Sequence, residues 1–135
     1  MYRNIEAEFW DDPRVRGLTV EAKLVFLHLV TSRHTHFSGL YSVRLEYVAL
    51  ETGLSTKQVQ TATASLEACG LIAYDDKTSV VWVVRMLRHQ ARSPKLLQGA
   101  ASHVVRMHGS TLIRRFLDEY PAVKAHCVAE DLPAE

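Results

Sequence analysis

The segment 45–64, LEYVALETGLSTKQVQTATA, places three residue types at fixed intervals that few folds require together. Ala49 is small where a second helix would cross the first, and Gly53 follows four residues later, where a tight turn is needed. Val59, six residues further on, is a branched apolar residue suited to anchoring the second helix against the first. This spacing predicts two short helices that cross steeply at a turn, the arrangement called helix-turn-helix.

Both predicted helices have recognisable limits. The first is expected over 44–52, and Gly53 can end it in the left-handed conformation that glycine adopts at low cost. Ser55 and Gln58 form the pattern S-x-x-Q, a capping box, which predicts the start of the second helix. Apolar residues at three- and four-residue spacing predict its buried face: Val59, Ala62, Leu66 and Cys69.

Two β-rich runs, 71–74 and 79–84, follow the second helix and are joined by four polar residues, which predicts a hairpin. A further, very short strand is expected over 40–42. The predicted order is therefore helix, strand, helix, helix, strand, turn, strand. The predicted fold class is α+β, mostly helical: a winged helix-turn-helix with a two- to three-stranded wing sheet and extra C-terminal helices.

The flanking segments complete the predicted domain organisation. Thr19 can cap a helix over 20–30, which is apolar on most sides and is therefore expected to be buried. Ser93 and Pro94 predict a helix start after the hairpin, and a shorter helix from Ser110 is expected to stop at Pro121. We predict a winged helix-turn-helix domain over 1–90, a helical extension packed on it over 91–122, and a flexible tail over 123–135.

Composition and motif content favour a cytoplasmic protein that is not an enzyme. The 135 residues are 47% hydrophobic and 23% charged, and they contain no apolar run long enough to span a membrane. Cys69 and Cys127 match no metal or redox spacing, which is typical of free thiols in a reducing compartment. No motif for catalysis, a cofactor or a metal is present, and His34, His36 and His103 are expected to face solvent.

The net charge of +1 conceals a strong segregation along the chain. Residues 1–84 hold eight basic and ten acidic side chains, whereas residues 85–115 hold seven basic side chains and no acidic one. The remainder contains one lysine against five acidic residues. This distribution predicts one surface suited to a polyanion, although folding could also scatter the basic residues over several faces.

Side chains suitable for DNA contact follow from this organisation. In a helix-turn-helix the second helix enters the major groove, where glutamine can contact adenine, lysine can contact guanine or phosphate, and threonine can contact either. The predicted contacts on that helix are Thr56, Lys57, Gln58, Gln60 and Thr61. The predicted phosphate contacts outside it are Arg44, Lys77, Arg85, Arg88, Arg92 and Lys95.

Two features leave other interpretations open. Asp75 and Asp76, at the tip of the predicted wing, should repel a phosphate backbone, so the basic stretch after the wing could be the main anchor instead. That stretch could equally hold the C-terminal helices or a partner subunit. With Lys57 as its one positive charge, the second helix could also present an ordinary solvated face.

Four segments, in this order and spacing, resemble the DnaD-like replication proteins, and most closely the N-terminal winged-helix domain of phage replisome organisers. They are RNIEAEFWDDPRVRGLTVEAKLVFLHLVTS, GLYSV, TGLSTKQVQTATASLEACGLIAYD and VVWVVRMLRHQARSPKLL. The resemblance runs from about residue 3 to Pro121 and implies a role in initiating DNA replication, with origin binding and recruitment of a helicase or its loader. It also implies self-association, for which Phe9 and Trp10 could form a dimer contact or instead pack on their own core.

Three functions therefore remain in competition. The first is a phage or prophage replication protein that binds duplex DNA. The second is a small transcription regulator, because the same fold serves both roles. The third is an oligomerisation or protein-interaction module that does not bind DNA, which the acidic wing and nearly neutral second helix would suit. Affinity that changes steeply with salt would favour the first two.

Overall fold

A computed structural model describes residues 5, 7–89, 93–107 and 110–127 as a mixed α+β fold that is mostly helical. A 3-10 helix, Ala7–Asp11, precedes the first α-helix. The α-helices are α1 (Pro13–Arg16), α2 (Val20–Thr31), α3 (Leu45–Thr52), α4 (Thr56–Ala68), α5 (Met86–His89), α6 (Pro94–Val104), α7 (Leu112–Glu119) and α8 (Pro121–Lys124). The strands are β1 (Leu40–Ser42), β2 (Ile72–Asp75) and β3 (Val80–Val83). The predicted fold class is thus confirmed at this level, including the order of elements from α2 to β3.

The three strands form a small antiparallel sheet with β3 in the middle, in the order β1-β3-β2. Because successive strand residues point to opposite faces, β3 contributes to both sides of the sheet. Val81 and Val83 belong to a core with α2, α3 and α4, whereas Val80 and Trp82 belong to a second core with α6, α7 and α8. All four residues are buried, so the sheet is the middle of three layers.

The first layer consists of α2, α3 and α4, which pack on one another and on the sheet. The prediction that α2 is buried on most sides is wrong. Ala22, Val25 and Leu29 are buried, but Val20 is 76% exposed and Leu24 is 39% exposed. The reason is that α3 and α4 pack against one stripe of α2, whereas Val20 and Leu24 lie on the other side of this helix.

The second layer consists of α6, α7 and α8, which cover the far face of the sheet. Phe116 of α7 is fully buried and meets the Trp82 ring edge-to-face, with centroids 5.9 Å apart. As predicted, the helix before Pro121 stops there, since α7 ends at Glu119. Pro121 is also the first residue of α8, a position that proline favours, and Val123 is fully buried, so the predicted flexible tail from residue 123 is wrong at its start. Residues 128–135 of the predicted tail lie outside the described residues.

The loop between α2 and β1 is tucked against the molecule. The His36 ring stacks on His103 of α6, with centroids 3.5 Å apart and 5° between the planes. His103 Nε2 lies 2.6 Å from the Leu40 carbonyl oxygen and therefore donates to it, and burial lowers the pKa of His103. The predictions that His36 and His103 face solvent are therefore wrong, whereas His34 is exposed.

Gly39 is where this loop enters β1, and the backbone there passes very close to β3. Its φ of +84° is a conformation that side chains rarely allow, and an added Cβ would lie 2.6 Å from the Val83 carbonyl oxygen. Nearby, the hydroxyls of Thr35 and Tyr41 both donate to the Leu29 carbonyl oxygen, at 2.7 and 2.6 Å. These bonds fix the end of α2 against the start of β1.

Within the described ranges, no helix combines the length and apolar character needed to cross a membrane. Nor do three or more histidine, cysteine, aspartate or glutamate side chains of those residues gather where they could hold a metal ion. Cys69, at the end of α4, and Cys127, after α8, form no disulfide within the part of the chain that the structure describes.

Candidate nucleic-acid interface

Helix α4 is presented by α3 and a tight turn. Gly53 follows α3 with φ +81°, and its N–H donates to the Ala49 carbonyl oxygen at 3.0 Å. Ser55 then caps α4: its hydroxyl accepts from the Gln58 N–H at 3.1 Å, and its own N–H donates to Gln58 Oε1 at 2.9 Å. These are the turn and the capping box that the sequence predicted, and they fix where α4 begins.

One side of α4 is anchored and the other is exposed. Val59 and Leu66 are fully buried and Ala62 is nearly so, facing α2, α3 and the sheet. Because successive helix residues are rotated by about 100°, the side opposite these anchors is formed by positions 57, 61 and 64, with 60 beside them. The exposed residues there are Lys57, Gln60, Thr61 and Ala64. This face is mostly small and polar, which permits close approach to a flat or grooved partner.

The two predicted glutamine contacts differ in the structure. The carboxamide oxygen of Gln58 is engaged as a hydrogen-bond acceptor in the capping box. Gln60 lies two residues further along, about half a turn away beside the outward face, and its side chain is exposed. Thr56, the first residue of α4, is also exposed. The sequence could not rank these residues, whereas the capping geometry separates Gln58 from Gln60.

Arg44 and the hairpin turn that contains Lys77 lie at the same end of the sheet. The N–H of Val43, the residue before Arg44, donates to the Ser79 carbonyl oxygen at 2.8 Å. The Tyr74 hydroxyl donates to the Val43 carbonyl oxygen at 3.0 Å, which fixes β2 at the same place. Arg44 and Lys77 are both exposed, so the structure brings two of the predicted phosphate contacts to one end of the molecule.

Asp75, which the sequence treats as a repulsive charge at the wing tip, has a structural role. Its Oδ1 accepts from the Lys77 N–H at 3.0 Å, and its Oδ2 accepts from the hydroxyls of Thr78 and Ser110 at 2.8 and 3.0 Å. Burial would raise the pKa of Asp75, but these hydrogen bonds outweigh it and lower the pKa. Asp75 therefore ties the hairpin turn to the start of the α7 segment, and Asp76 is the exposed acid of the turn.

Arg85 lies at the opposite end of the sheet from Lys77. It follows β3, whose last residue pairs with Ile72, the first residue of the strand that follows α4, and it is close enough to Asp12 to help lower the pKa of that carboxyl. The start and the end of α4 are roughly 18 Å apart, given a rise of 1.5 Å per residue from Lys57 to Cys69. The predicted contacts of α4 and Arg85 are therefore not brought together.

The rest of the basic stretch is spread over other elements. Lys95 is exposed in the first turn of α6, in the second layer. The Arg115 guanidinium lies over the Trp82 ring, 5.8 Å from its centroid. The Arg88 side chain and the whole of Arg92 lie outside the described residues, so these two contacts stay predictions. Of the basic side chains that the structure describes here, Arg85 follows β3, Lys95 lies on α6 and Arg115 lies on α7, so they are carried by separate elements.

Near the N-terminus the structure has a cavity that the sequence did not reveal. Its volume is about 270 Å³, and Asp12, Arg14 and Arg85 stand among its lining residues. Its apolar lining comprises Ile5, Phe9, Phe26, Val30, Leu71, Val83 and Met86. Arg14 donates to both oxygens of Asp12, at 3.2 and 2.8 Å, and this hydrogen bonding lowers the pKa of Asp12 to about 2. The sequence marked only a turn at Asp12, because the cavity walls come from distant parts of the chain.

Comparisons with known proteins found no match among family models, curated proteins or solved structures. The resemblance to replication proteins, and the function that it implies, therefore stay predictions from the residues.

Proposed function

We propose that this protein is a winged helix-turn-helix module that binds double-stranded DNA by placing α4 in the major groove. The observation that supports this most directly is the division of α4 into a buried anchor, centred on Val59 and Leu66, and an outward face of exposed Lys57, Gln60 and Thr61. A helix held rigidly by its inner face, with small polar side chains outside, has the dimensions and chemistry that the major groove admits.

Backbone contacts are expected from groups around this face. Lys57 lies in the first turn of α4, where the positive end of the helix dipole also favours phosphate. Arg44 and Lys77 add two exposed cations at the hairpin end of the sheet. The deep, narrow major groove of A-form RNA does not admit a helix in this way, so B-form DNA is the proposed partner.

The electrostatic share of this binding should be modest. If Arg44, Lys57 and Lys77 each neutralise one phosphate, the logarithm of the binding constant should fall with the logarithm of salt concentration with a slope of about −3. The exposed Asp76 in the turn opposes binding further. We therefore expect weak binding to random duplex and stronger binding to a preferred sequence.

The test is a fluorescence anisotropy titration of the full chain with random duplex and with single-stranded DNA at several salt concentrations. The variant K57A should weaken duplex binding and reduce the slope by about 1. Lys124, which is exposed on α8 behind the sheet, provides the matched control K124A, which should leave the slope unchanged. Equal effects of the two variants, or no duplex binding at low salt, would overturn the proposal.

The resemblance extends this proposal to initiation of DNA replication, with a helicase or its loader as the second partner. A transcription regulator would use the same fold and the same α4, so the discriminating measurement concerns the target. Repeated sites and binding to a helicase loader support replication. A palindromic site bound by a stable two-fold dimer supports regulation.

A protein-interaction module is the second candidate, and one observation favours it. Large apolar side chains are exposed on the 3-10 helix, α2 and α3: Trp10 at 56%, Val20 at 76% and Leu50 at 79%. Phe9, which the resemblance pairs with Trp10 as a dimer contact, is half-buried and stacks on Phe26 with centroids 5.4 Å apart. This candidate would be favoured if the protein does not bind DNA and its molecular mass in solution rises with concentration. The variant V20S should then lower that mass, because it removes an exposed apolar side chain.

A further inference from the structure

We infer that the outward face of α4 selects adenine–thymine base pairs at the positions beneath Gln60, Thr61 and Ala64. This inference rests on the proposed function and names the sequence class that the same surface would recognise. It follows from which donors, acceptors and methyl groups remain available on α4 once its capping and packing are taken into account.

Gln60 is the glutamine of α4 that can recognise a base. A carboxamide pairs with adenine by accepting from N6 and donating to N7, so its oxygen must be available. The oxygen of Gln58 already accepts from the Ser55 N–H at 2.9 Å within the capping box. Gln60 is exposed and lies beside the line of Lys57, Thr61 and Ala64, about 120° around the helix from Leu66.

Thr61 and Ala64 offer methyl groups next to this carboxamide. Both are exposed on the outward face, and small apolar groups of this kind pack against the 5-methyl group of thymine. Their size also lets the helix approach the floor of the groove. An adenine beneath Gln60 and thymine methyls beneath Thr61 and Ala64 are therefore the matching pattern.

Guanine recognition by the same part of the helix lacks the necessary side chain. Bidentate contact to guanine is made above all by arginine, and the α4 sequence TKQVQTATASLEA contains none. Lys57 is its one basic residue and lies in the first turn, ahead of Gln60 and Thr61. Selection of guanine is therefore confined at most to the edge of the site beneath Lys57.

The experiment begins with selection of bound sequences from a randomised duplex library by the full chain. The sequence that emerges should contain a short adenine–thymine block, and it is then synthesised with single-atom changes. Replacing the adenine under Gln60 by 7-deazaadenine removes the N7 acceptor and should weaken wild-type binding roughly tenfold. Replacing thymine by deoxyuridine removes only the methyl group and should weaken binding by a smaller factor.

Variants then assign each effect to a side chain. With Q60A the 7-deazaadenine penalty should disappear, and with T61S, which keeps the hydroxyl but lacks the methyl, the deoxyuridine penalty should shrink. Gln98, an exposed glutamine on α6, gives the control Q98A, which should retain both penalties. Q60R should shift the preference at its position towards guanine.

The outcomes separate this inference from the proposed function. Salt-dependent duplex binding with a guanine–cytosine preference, or with no penalty from either modified base, overturns the inference and leaves DNA binding standing. Absence of duplex binding at low salt overturns both. A 7-deazaadenine penalty that persists in Q60A shows that another side chain contacts adenine and also overturns the assignment.

Discussion

The two faces of the sheet are covered by layers that hold together for different reasons. In the first layer, α2 and α4 begin with side-chain caps from Thr19 and Ser55, and α3 ends at a left-handed glycine, Gly53. In the second layer, α6 has such a cap from Ser93. The N-cap residues of the shorter α7 and α8, Thr111 and Tyr120, make no side-chain cap hydrogen bond, and at α7 the Ser110 hydroxyl accepts from the Leu112 N–H instead.

This difference shows where each layer obtains its stability. Helices of eight and four residues are too short to persist alone, so α7 and α8 must depend on burial against the sheet. Phe116 and Val123 supply that burial, and both are fully inaccessible to solvent. The first layer instead combines local capping with packing, which lets α4 begin at a defined residue and present a defined face.

The largest expected effect comes from truncating one large side chain in each core. F116A should cost about 3–5 kcal/mol of unfolding free energy, and L66A about 2–5 kcal/mol, because both side chains are fully buried. Urea unfolding followed by far-UV circular dichroism should show a single transition for each variant, because β3 is shared by both cores. A second transition in F116A alone would mean that the two layers unfold separately.

The sequence predicted the first layer well because its limits are set by neighbouring residues. The cap at Thr19, the turn at Gly53 and the capping box at Ser55 each involve contacts within a few positions, and all are present. The start of α6 at Ser93 was predictable for the same reason. What failed was the environment of side chains whose neighbours are distant in sequence: Val20, Leu24, His36, His103 and Val123.

The candidate site shows the same division. Exposure of Lys57, Gln60 and Thr61 followed from helical spacing, because the anchors alternate with them on one helix. The position of Arg85 could not be predicted in this way. Its place among basic residues in the sequence does not indicate at which end of the sheet it lies. The role of Asp75 was also missed, because its partner Ser110 lies 35 residues away.

The link between the two layers at the hairpin turn should have an intermediate effect. S110A removes the hydroxyl that donates to Asp75 and accepts from the Leu112 N–H at 3.2 Å, so we expect a loss of about 1–2 kcal/mol. Chemical denaturation measures the loss, and S102A, an exposed serine on α6, is the control. A loss no larger than that of S102A would mean that Asp75 and Ser110 do not couple the layers.

A smaller effect is expected for Asp12, at the start of α1. Its side chain should contribute about 1 kcal/mol to the free energy of unfolding at neutral pH. It caps α1 and is bonded to Arg14, and D12A removes both functions. Because hydrogen bonding to Arg14 lowers its folded pKa from the ordinary value of 3.8 to about 2, this contribution is complete above pH 4 and is lost as pH falls towards 2.

The measurement is the difference in unfolding free energy between wild type and D12A at pH 7 and pH 3. The difference should shrink at the lower pH. D12N, which retains a good capping side chain but no charge, should lie closer to wild type at both values. A difference that is independent of pH would contradict the role assigned to the ion pair.

His103, on α6 of the second layer, should have the smallest effect on stability. This effect should occur at a higher pH than that of Asp12. Burial lowers its folded pKa below 6.5, the hydrogen bond to the Leu40 carbonyl opposes this, and Arg106 lowers the pKa further. The folded state therefore binds fewer protons, so stability is complete above about pH 6.5 and declines as pH falls below it.

H103Q keeps an N–H donor within reach of Leu40 but does not titrate. A fall in pH from 7.5 to 5.5 should therefore lower the melting temperature of wild type more than that of H103Q, as measured by thermal unfolding at each pH. H126Q is the control, since His126 is exposed at the end of the described chain and should follow wild type. Identical pH profiles for H103Q and wild type would contradict the burial of this imidazole.

The central position of β3 also has a consequence for how the chain is made. Leu40 of β1 pairs with Trp82 of β3, so the ribosome adds Leu40 to the chain 42 residues before its partner. During that interval β1 is an open edge that could pair with another nascent chain. Its length of three residues limits that risk, because so short a strand offers few groups for mispairing before β3 arrives to occupy them.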